Sequence, residues 1–403
     1  MSPASSESTL PPIAITGMAV LTPLGDTPDL LAAALAAGRA ALEPAADVPG
    51  VAAAAIRDFE ATRYANVRGL RLYNRPTRLA ICAAKMALSD SGIEAAGLPA
   101  EQLGVLLAST FGHLETLLEY DRSLVTAGMQ RTNPALMPLA IPSAPGAATA
   151  LSFGAKAFSI TLSDAGVGSL DALGLGSRLV GGGRARACLV VATFSACKDL
   201  VLAASRAGLL SPTAALRAFD RRGDGTAFGE AAAAVVLERV ELARERGAEP
   251  KAYLKGQASA FAGDPAGLES ALGHACGRAL RAAGLASAEI GLVSAGANGS
   301  AVQDGAEARA LGALLGASTA GAPVMATKGN LGETMDASGL LQTLVAVAAM
   351  RSGKAPPIVG LEDPVFAGLR YLTREANVDA RNALVTSISY EGACSALVVS
   401  REP

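Results

Sequence analysis

Tryptophan is absent from this 403-residue chain, and phenylalanine and tyrosine make up only 4% of it. Any core is therefore built from Ala, Val, Leu and Ile, in a chain that is 51% hydrophobic and 17% charged. That balance excludes general disorder. Histidine occurs twice, as His113 and His274, neither with a cysteine at ligand spacing. A multi-histidine zinc site is thereby excluded, and no metal is expected. The five cysteines contain no CxxC pair, which predicts a reduced, cytoplasmic chain. No apolar run approaches the roughly 18–20 residues that span a bilayer. The first basic residue is Arg39, so neither a secretory signal nor membrane attachment is expected. Lys+Arg 34 against Asp+Glu 36 gives a net charge of −2, with no global field for nucleic acid.

What is present is a regular alternation of short apolar runs and helical patterns, long enough for two or three domains or one duplicated unit. After a Ser/Pro-rich, frayed start over 1–12, Ile13 to Gly17 reads as a buried strand ended by glycine. Asp26-Thr27-Pro28 then caps a helix that runs to Gly38. Further strands are expected at Val105–Ser109, Phe158–Leu162, Cys188–Thr193 and Ala232–Leu237. In the second part they fall at Ile290–Ser294 and in a hairpin-like pair, Ala383–Ser389 and Ala396–Ser400. Unbroken apolar strands suit sheets covered by helices on both faces. The charged stretch Leu237–Lys251 reads as a solvated connection dividing the chain into halves 1–250 and 251–403. Both halves return to strand–helix–strand units, a hint of duplication.

Three loops lead into helices. Ser163 to Gly183 passes from a strand through small residues, a geometry that aims N–H groups and the positive helix end at the turn. Acyl-transfer enzymes place a thiolate at such a turn, but Gly166 stands there. Gly296 to Asp304 is glycine-rich without matching a nucleotide-binding motif, and Lys328 to Glu333 precedes another helix. His113 reads as a satisfied structural histidine at a strand–helix junction, and His274 as solvated on a polar helix face. Ser195-Ala196-Cys197-Lys198 matches SxxK without its supporting motifs and is set aside.

In order and spacing these segments resemble the β-ketoacyl synthase family of the thiolase-like superfamily over nearly the whole chain. The resemblance rests on Ile15-Thr16-Gly17-Met18 with Pro23-Leu24-Gly25, and on Phe219-Asp220, Asp224-Gly225 and Gly229-Glu230. It continues through Asp304-(x2)-Glu307-Ala308, Lys328-(x3)-Gly332, Ala337-Ser338-Gly339 and Ser387-Ile388-Ser389-Tyr390-Glu391-Gly392. It implies an α/β thiolase-like fold, with duplicated halves in five αβαβα layers. The family's nucleophilic cysteine falls on Gly166 and its two histidines on Gly296 and Glu333. No catalytic residue is thus expected, because glycine offers no nucleophile and an ionised Glu333 no donor to an enolate oxygen.

A scaffold kept without its triad resembles a chain-length factor, the inactive homologue that pairs with an active ketosynthase in type II polyketide systems. Glycine where such factors typically carry glutamine favours a divergent branch serving aryl-polyene or other polyene chains. The resemblance implies a heterodimer with a catalytic ketosynthase, an acyl carrier protein as further partner, and no cofactor beyond that carrier's phosphopantetheine, held mainly by the partner subunit. It puts Thr110, Phe111, His113, Leu114, Leu117 and Leu118 at the acyl tunnel or dimer interface, with Phe111 bulky enough to set a floor. Lys328 and Tyr390 belong to the pocket loops, and Asn298 and Ser300 fall where active homologues hold pantetheine. Arg68, Arg71, Arg75 and Arg78 form a candidate carrier-docking patch, three of them counted on one helix face. Two other readings stay open: a thiolase-fold enzyme reusing the pocket through Ser163, Asp164 or Glu333, and a protein that binds or regulates acyl-carrier thioesters without turnover.

Overall fold

The computed structural model describes residues 11–45, 48–316 and 321–403; of the expected frayed start, residues 1–10 lie outside them. The eleven strands of the main sheet are β1 Ile13–Leu21, β2 Leu103–Ala108, β3 Phe158–Leu162, β4 Ala187–Phe194, β5 Ala231–Arg239, β6 Ala252–Phe261, β7 Leu292–Ala295, β8 Pro323–Ala326, β9 Arg370–Tyr371, β10 Asn382–Ile388 and β11 Ala393–Ser400. Their spatial order is β9-β8-β7-β10-β11-β6-β1-β5-β4-β2-β3.

The duplication hinted at in the sequence is explicit in this order. Numbered within each half, both sheets run third, second, fourth, fifth, first: β3-β2-β4-β5-β1 and β8-β7-β10-β11-β6, with β9 added at the far edge. In each half the first three pairings are parallel, parallel and antiparallel, in the same places. Within the sheet the halves pair through Ile13–Ile15 of β1 against Ala252–Leu254 of β6.

Alternation along the strands creates the layers, even where a strand is almost wholly apolar. On β5, Ala231, Ala233, Val235 and Leu237 face one cluster, while Ala232, Ala234 and Val236 face another. The first cluster lies between the two sheets around two helices, α5 (Gly168–Gly181) and α9 (Ser338–Ser352). Apart from half-buried Ala348, α9 is buried from Ser338 to Met350, as a helix apolar on every side should be. Helices α2 (Arg75–Ser91) and α4 (Ala144–Ser152) cover the outer face of the first sheet. Helices α7 (Leu268–Ala283) and α8 (Ala301–Leu315) cover the second. The result is the five-layer thiolase-like arrangement. The remaining helices of more than six residues among the described ones are α1 (Pro28–Ala36), whose N-cap Thr27 accepts from the Leu30 N–H, α3 (Leu114–Ala127) and α6 (Lys198–Arg206); Val240–Glu245 and Lys328–Leu331 form short helical turns.

Three expectations need correction. Gly17 does not end its strand: β1 continues to Leu21 past a bulge at Thr16. Glycine is needed because α2 lies directly on the strand, where a Cβ would stand 2.2 Å from the Ala87 carbonyl oxygen. Leu237–Lys251 is not a solvated link. It completes β5, and buried Glu238 accepts from Thr16 at 2.6 Å and from the Arg246 guanidinium at 3.0 Å. Finally, Arg71 shares no helix face with Arg75 and Arg78. Asn74 caps α2 by accepting from the Thr77 N–H, so the helix starts at Arg75 and Arg71 sits in a separate 3-10 turn.

Substituting Gly17→Ala should lower stability by about 1–3 kcal/mol, the usual penalty for overpacking a filled site. The urea midpoint would read this, with far-UV circular dichroism showing that the fold persists.

Candidate functional site

Both central helices are entered in the same way. Ala165 and Met335 each adopt φ of 44° and open a 3-10 turn, Ala165–Val167 and Met335–Ala337, that runs into α5 and α9. A non-glycine residue in the left-handed region costs about 1–2 kcal/mol, so each turn must be held from outside. Thr110, just beyond β2, does this for both. Its hydroxyl accepts from the Ala165 N–H at 2.8 Å, while its own N–H and hydroxyl donate to Asp336 at 2.7 and 3.1 Å. Asp336 is buried, and burial pushes its carboxyl up to about 7.

Two of the three positions singled out in the sequence pack on the end of β10, and the third, Glu333, is linked through Asn298 to Tyr390 just beyond it. Gly166 lies in the first turn, its carbonyl accepting from the Ser387 hydroxyl at 2.7 Å. A Cβ there would be 3.3 Å from the Ile388 carbonyl oxygen, tight but within reach of a small shift. Gly296 is more confined: a Cβ would stand 2.8 Å from the Thr386 carbonyl oxygen and 3.0 Å from Ser387 Cα. Its N–H donates to Glu307, which also accepts from the Thr386 hydroxyl at 2.6 Å. No larger side chain enters at Gly296 without moving β10.

Glu333 has no free acceptor role. One oxygen accepts from Lys328 Nζ at 2.7 Å and Asn298 Nδ2 at 3.3 Å, the other from the Met335 N–H at 2.9 Å and the Ser338 hydroxyl at 2.7 Å. Both side chains of the Lys328–Glu333 pair are buried, at 3% and 2% exposure. A carboxylate so placed neutralises a lysine; it offers no proton to an oxyanion. Asn298 also donates to Gln303 at 2.8 Å and to the Tyr390 hydroxyl at 3.1 Å, and burial, reinforced by Glu333, pushes the Tyr390 phenol up. The cavity beside Lys328, Thr334 and Gln342 holds about 10 Å³, room for at most one water.

Around this cluster the signature segments act as loop staples. Asp304 accepts from the N–H groups of Phe219, Asn298 and Gly299 at 2.7, 2.8 and 3.1 Å. The Arg222 guanidinium and neighbouring N–H groups hold the Asp220 carboxyl well below the usual range. Asp224 accepts from Ser211 and Thr213 at 2.6 and 2.8 Å. Glu230 accepts from Arg75, Ser195 and the Ile56 N–H. Arg75 is therefore committed to a buried carboxylate, whereas Arg68 and Arg71 are exposed.

Of the proposed tunnel residues, Thr110 belongs to the two-helix clamp. Phe111 is half-buried, its ring 6.5 Å from that of Phe194, which in turn meets Phe228. Leu114, Leu117 and Leu118 are half-buried on α3, whose one buried residue is Thr116. His113 is not satisfied as expected: its Nδ1 is buried without a partner among the described residues, and burial lowers its basicity. His274 is exposed, as read from the sequence. Sequence reasoning missed Asp336, Thr386, Gln303 and the Arg75–Glu230–Ser195 cluster, because each acts on a partner far away in the chain or in an irregular loop.

Family models for the β-ketoacyl synthase N-terminal domain and C-terminal domain match residues 11–243 and 252–362. The chain is 28% identical over 372 residues to a 3-oxoacyl-[acyl-carrier-protein] synthase 2 of Synechocystis sp., spanning 87% of this chain and 88% of that protein. It is 30% identical over 353 residues to the tetracenomycin polyketide synthase ketoacyl synthase alpha subunit of Streptomyces glaucescens, spanning 82% of each. The solved ishigamide ketosynthase/chain length factor superposes with a TM-score of 0.88 at 24% identity, over 97% of this chain and 99% of that one.

Two outcomes are expected. Lys328→Met leaves a carboxylate buried without its counter-charge and should cost about 3–5 kcal/mol, much of it recovered in Lys328→Met/Glu333→Gln; urea midpoints of the three proteins test this. Asp304, Glu307 and Asp336 have folded values raised by burial to about 6, 7 and 7, so the native state keeps protons that the unfolded chain releases near pH ~4. Their contribution to stability is full at low pH and is lost as pH rises through about 4 to 7. Asp336→Asn should flatten that decline in a pH series of urea midpoints.

Proposed function

The chain belongs to the β-ketoacyl synthase family, and we propose that within it the chain serves as a non-catalytic, chain-length-factor-like subunit, pairing with an active β-ketoacyl synthase and shaping its partner's acyl tunnel. One observation carries this reading. The family resemblance puts the family's cysteine and two histidines on Gly166, Gly296 and Glu333, and the last is engaged by Lys328, Asn298, Ser338 and the Met335 N–H. An acid–base enzyme built on Glu333 has less support, since every donor around it is already committed. The product is expected to be a polyketide or polyene chain, including the aryl-polyene kind.

A partner subunit also fits the surface. The edge strand β3 pairs only with β2 among the described residues, leaving an open row of backbone groups of the kind that recruits another chain. Leu151, on the helix packed against that strand, is 80% exposed, and Val125 and Met129 elsewhere on the surface are 83% and 79% exposed, apolar groups suited to a protein interface. Phe111, His113, Leu114, Leu117 and Leu118 are the candidates to line the partner's tunnel. Phosphopantetheine of an acyl carrier protein is held mainly by the partner in this reading. Asn298 is committed within its own cluster, which leaves the Ser300 hydroxyl as the freer of the two vestigial contacts. Arg68 and Arg71 remain candidates for carrier docking. Among the described residues no helix is long and apolar enough to cross a membrane.

Co-expression with an active ketosynthase encoded beside it should yield a stable 1:1 complex that elongates acyl chains on a carrier protein, while the chain alone shows no condensation. Size-exclusion chromatography with light scattering and product mass spectrometry read both. A stable homodimer indifferent to any ketosynthase would overturn the proposal.

A further inference from the structure

Along the C-terminal half of α5, about 10–18 Å from Gly166 at the rise of an α-helix, a cavity of about 590 Å³ opens at the seam between the two halves. Its charged lining residues are all cations: Arg178, Lys255 and Arg281, with no Asp or Glu. None of the three forms an ion pair among the described residues. This sets the cavity apart in a protein whose net charge is −2.

Arg178 and Arg281 sit in the last turns of α5 and α7, where cations commonly offset the negative helix end. Each helix end carries about half a negative charge, and Asp171 lies within electrostatic reach of Arg178, so exposed Arg178 and Arg281 are offset in part. Half-buried Lys255 is on a strand with no helix end to offset. The Ser177 hydroxyl adds a neutral donor, and Leu173, Leu254 and Leu397 give the cavity an apolar floor, with Pro11 and Pro12 at its rim. A volume of this order takes a small organic ligand. Guanidinium groups recognise phosphate through paired N–H donors.

We propose that this cavity binds a multiply charged organic phosphate, its phosphates on Arg178, Lys255 and Arg281 and its apolar or aromatic body on the leucine floor. The site is remote from Gly166, Gly296 and Glu333, and its occupancy is independent of any condensing role. The test uses the full chain and a fluorescent N-methylanthraniloyl derivative of ATP. Saturable binding at one site per chain is expected, weakening with added salt. Arg178→Ala, Lys255→Ala and Arg281→Ala should each weaken it by about tenfold or more. Arg206→Ala, an exposed arginine in the last turn of α6, should leave it unchanged. Inorganic pyrophosphate should displace the probe only at higher concentration than ATP. No saturable binding below millimolar probe, equal binding by the three variants, or equal loss in the Arg206 variant would overturn the proposal. Pyrophosphate matching ATP would overturn the role of the organic body.

Discussion

Two helices that hardly meet solvent set the terms for everything around them. Helices α5 and α9 lie between two sheets, so the inner face of each sheet has to be apolar. Each sheet also needs an outer helical cover, which makes its strands apolar on both sides. This explains the composition as much as the fold. Alanine-rich strands such as Ala231 to Val236 let helices approach closely, and a core of small aliphatic groups needs no tryptophan. The central layer tolerates polar atoms only at its ends, where the helices begin, and there the polar groups are concentrated.

At those ends the polar groups satisfy one another. Lys328 and Glu333 neutralise each other, Asn298 bridges Gln303 and Tyr390, and Thr110 ties Asp336 to the turn at Ala165. A buried charge without a partner is strongly destabilising, so buried Lys328 requires an anion beside it. Glu333 supplies that anion from five residues further along the same loop.

Much of the fold can be read from the sequence because doubly covered strands are unbroken apolar runs. Phe158–Leu162 falls at its observed bounds, and the pair at the C-terminal end is an antiparallel hairpin. The errors share one cause. Gly17 reads as a strand end, and the reason for it lies in helix α2, outside its own segment. Glu238 reads as solvated, and its hydrogen-bond donor Thr16 is 222 positions away. The three degenerate positions are legible through the family resemblance, but what surrounds them is not. Thr110 and Asp336 are separated by 226 positions, and no periodicity relates them. Local pattern reports which face is buried, and only the assembled chain reports which polar group meets which.

The position of β1 has a consequence for how the molecule comes into being. This strand is made well before its neighbours on either side, β5, beginning at Ala231, and β6, beginning at Ala252. At synthesis rates of roughly 5–20 residues per second, it waits roughly 10–50 s with both edges open. During that interval an unpaired apolar strand is exposed to association with other nascent chains. The first half cannot pair β1 until β5 arrives, and among the described residues the two half-sheets join through β1. This strand is accordingly made early and secured late.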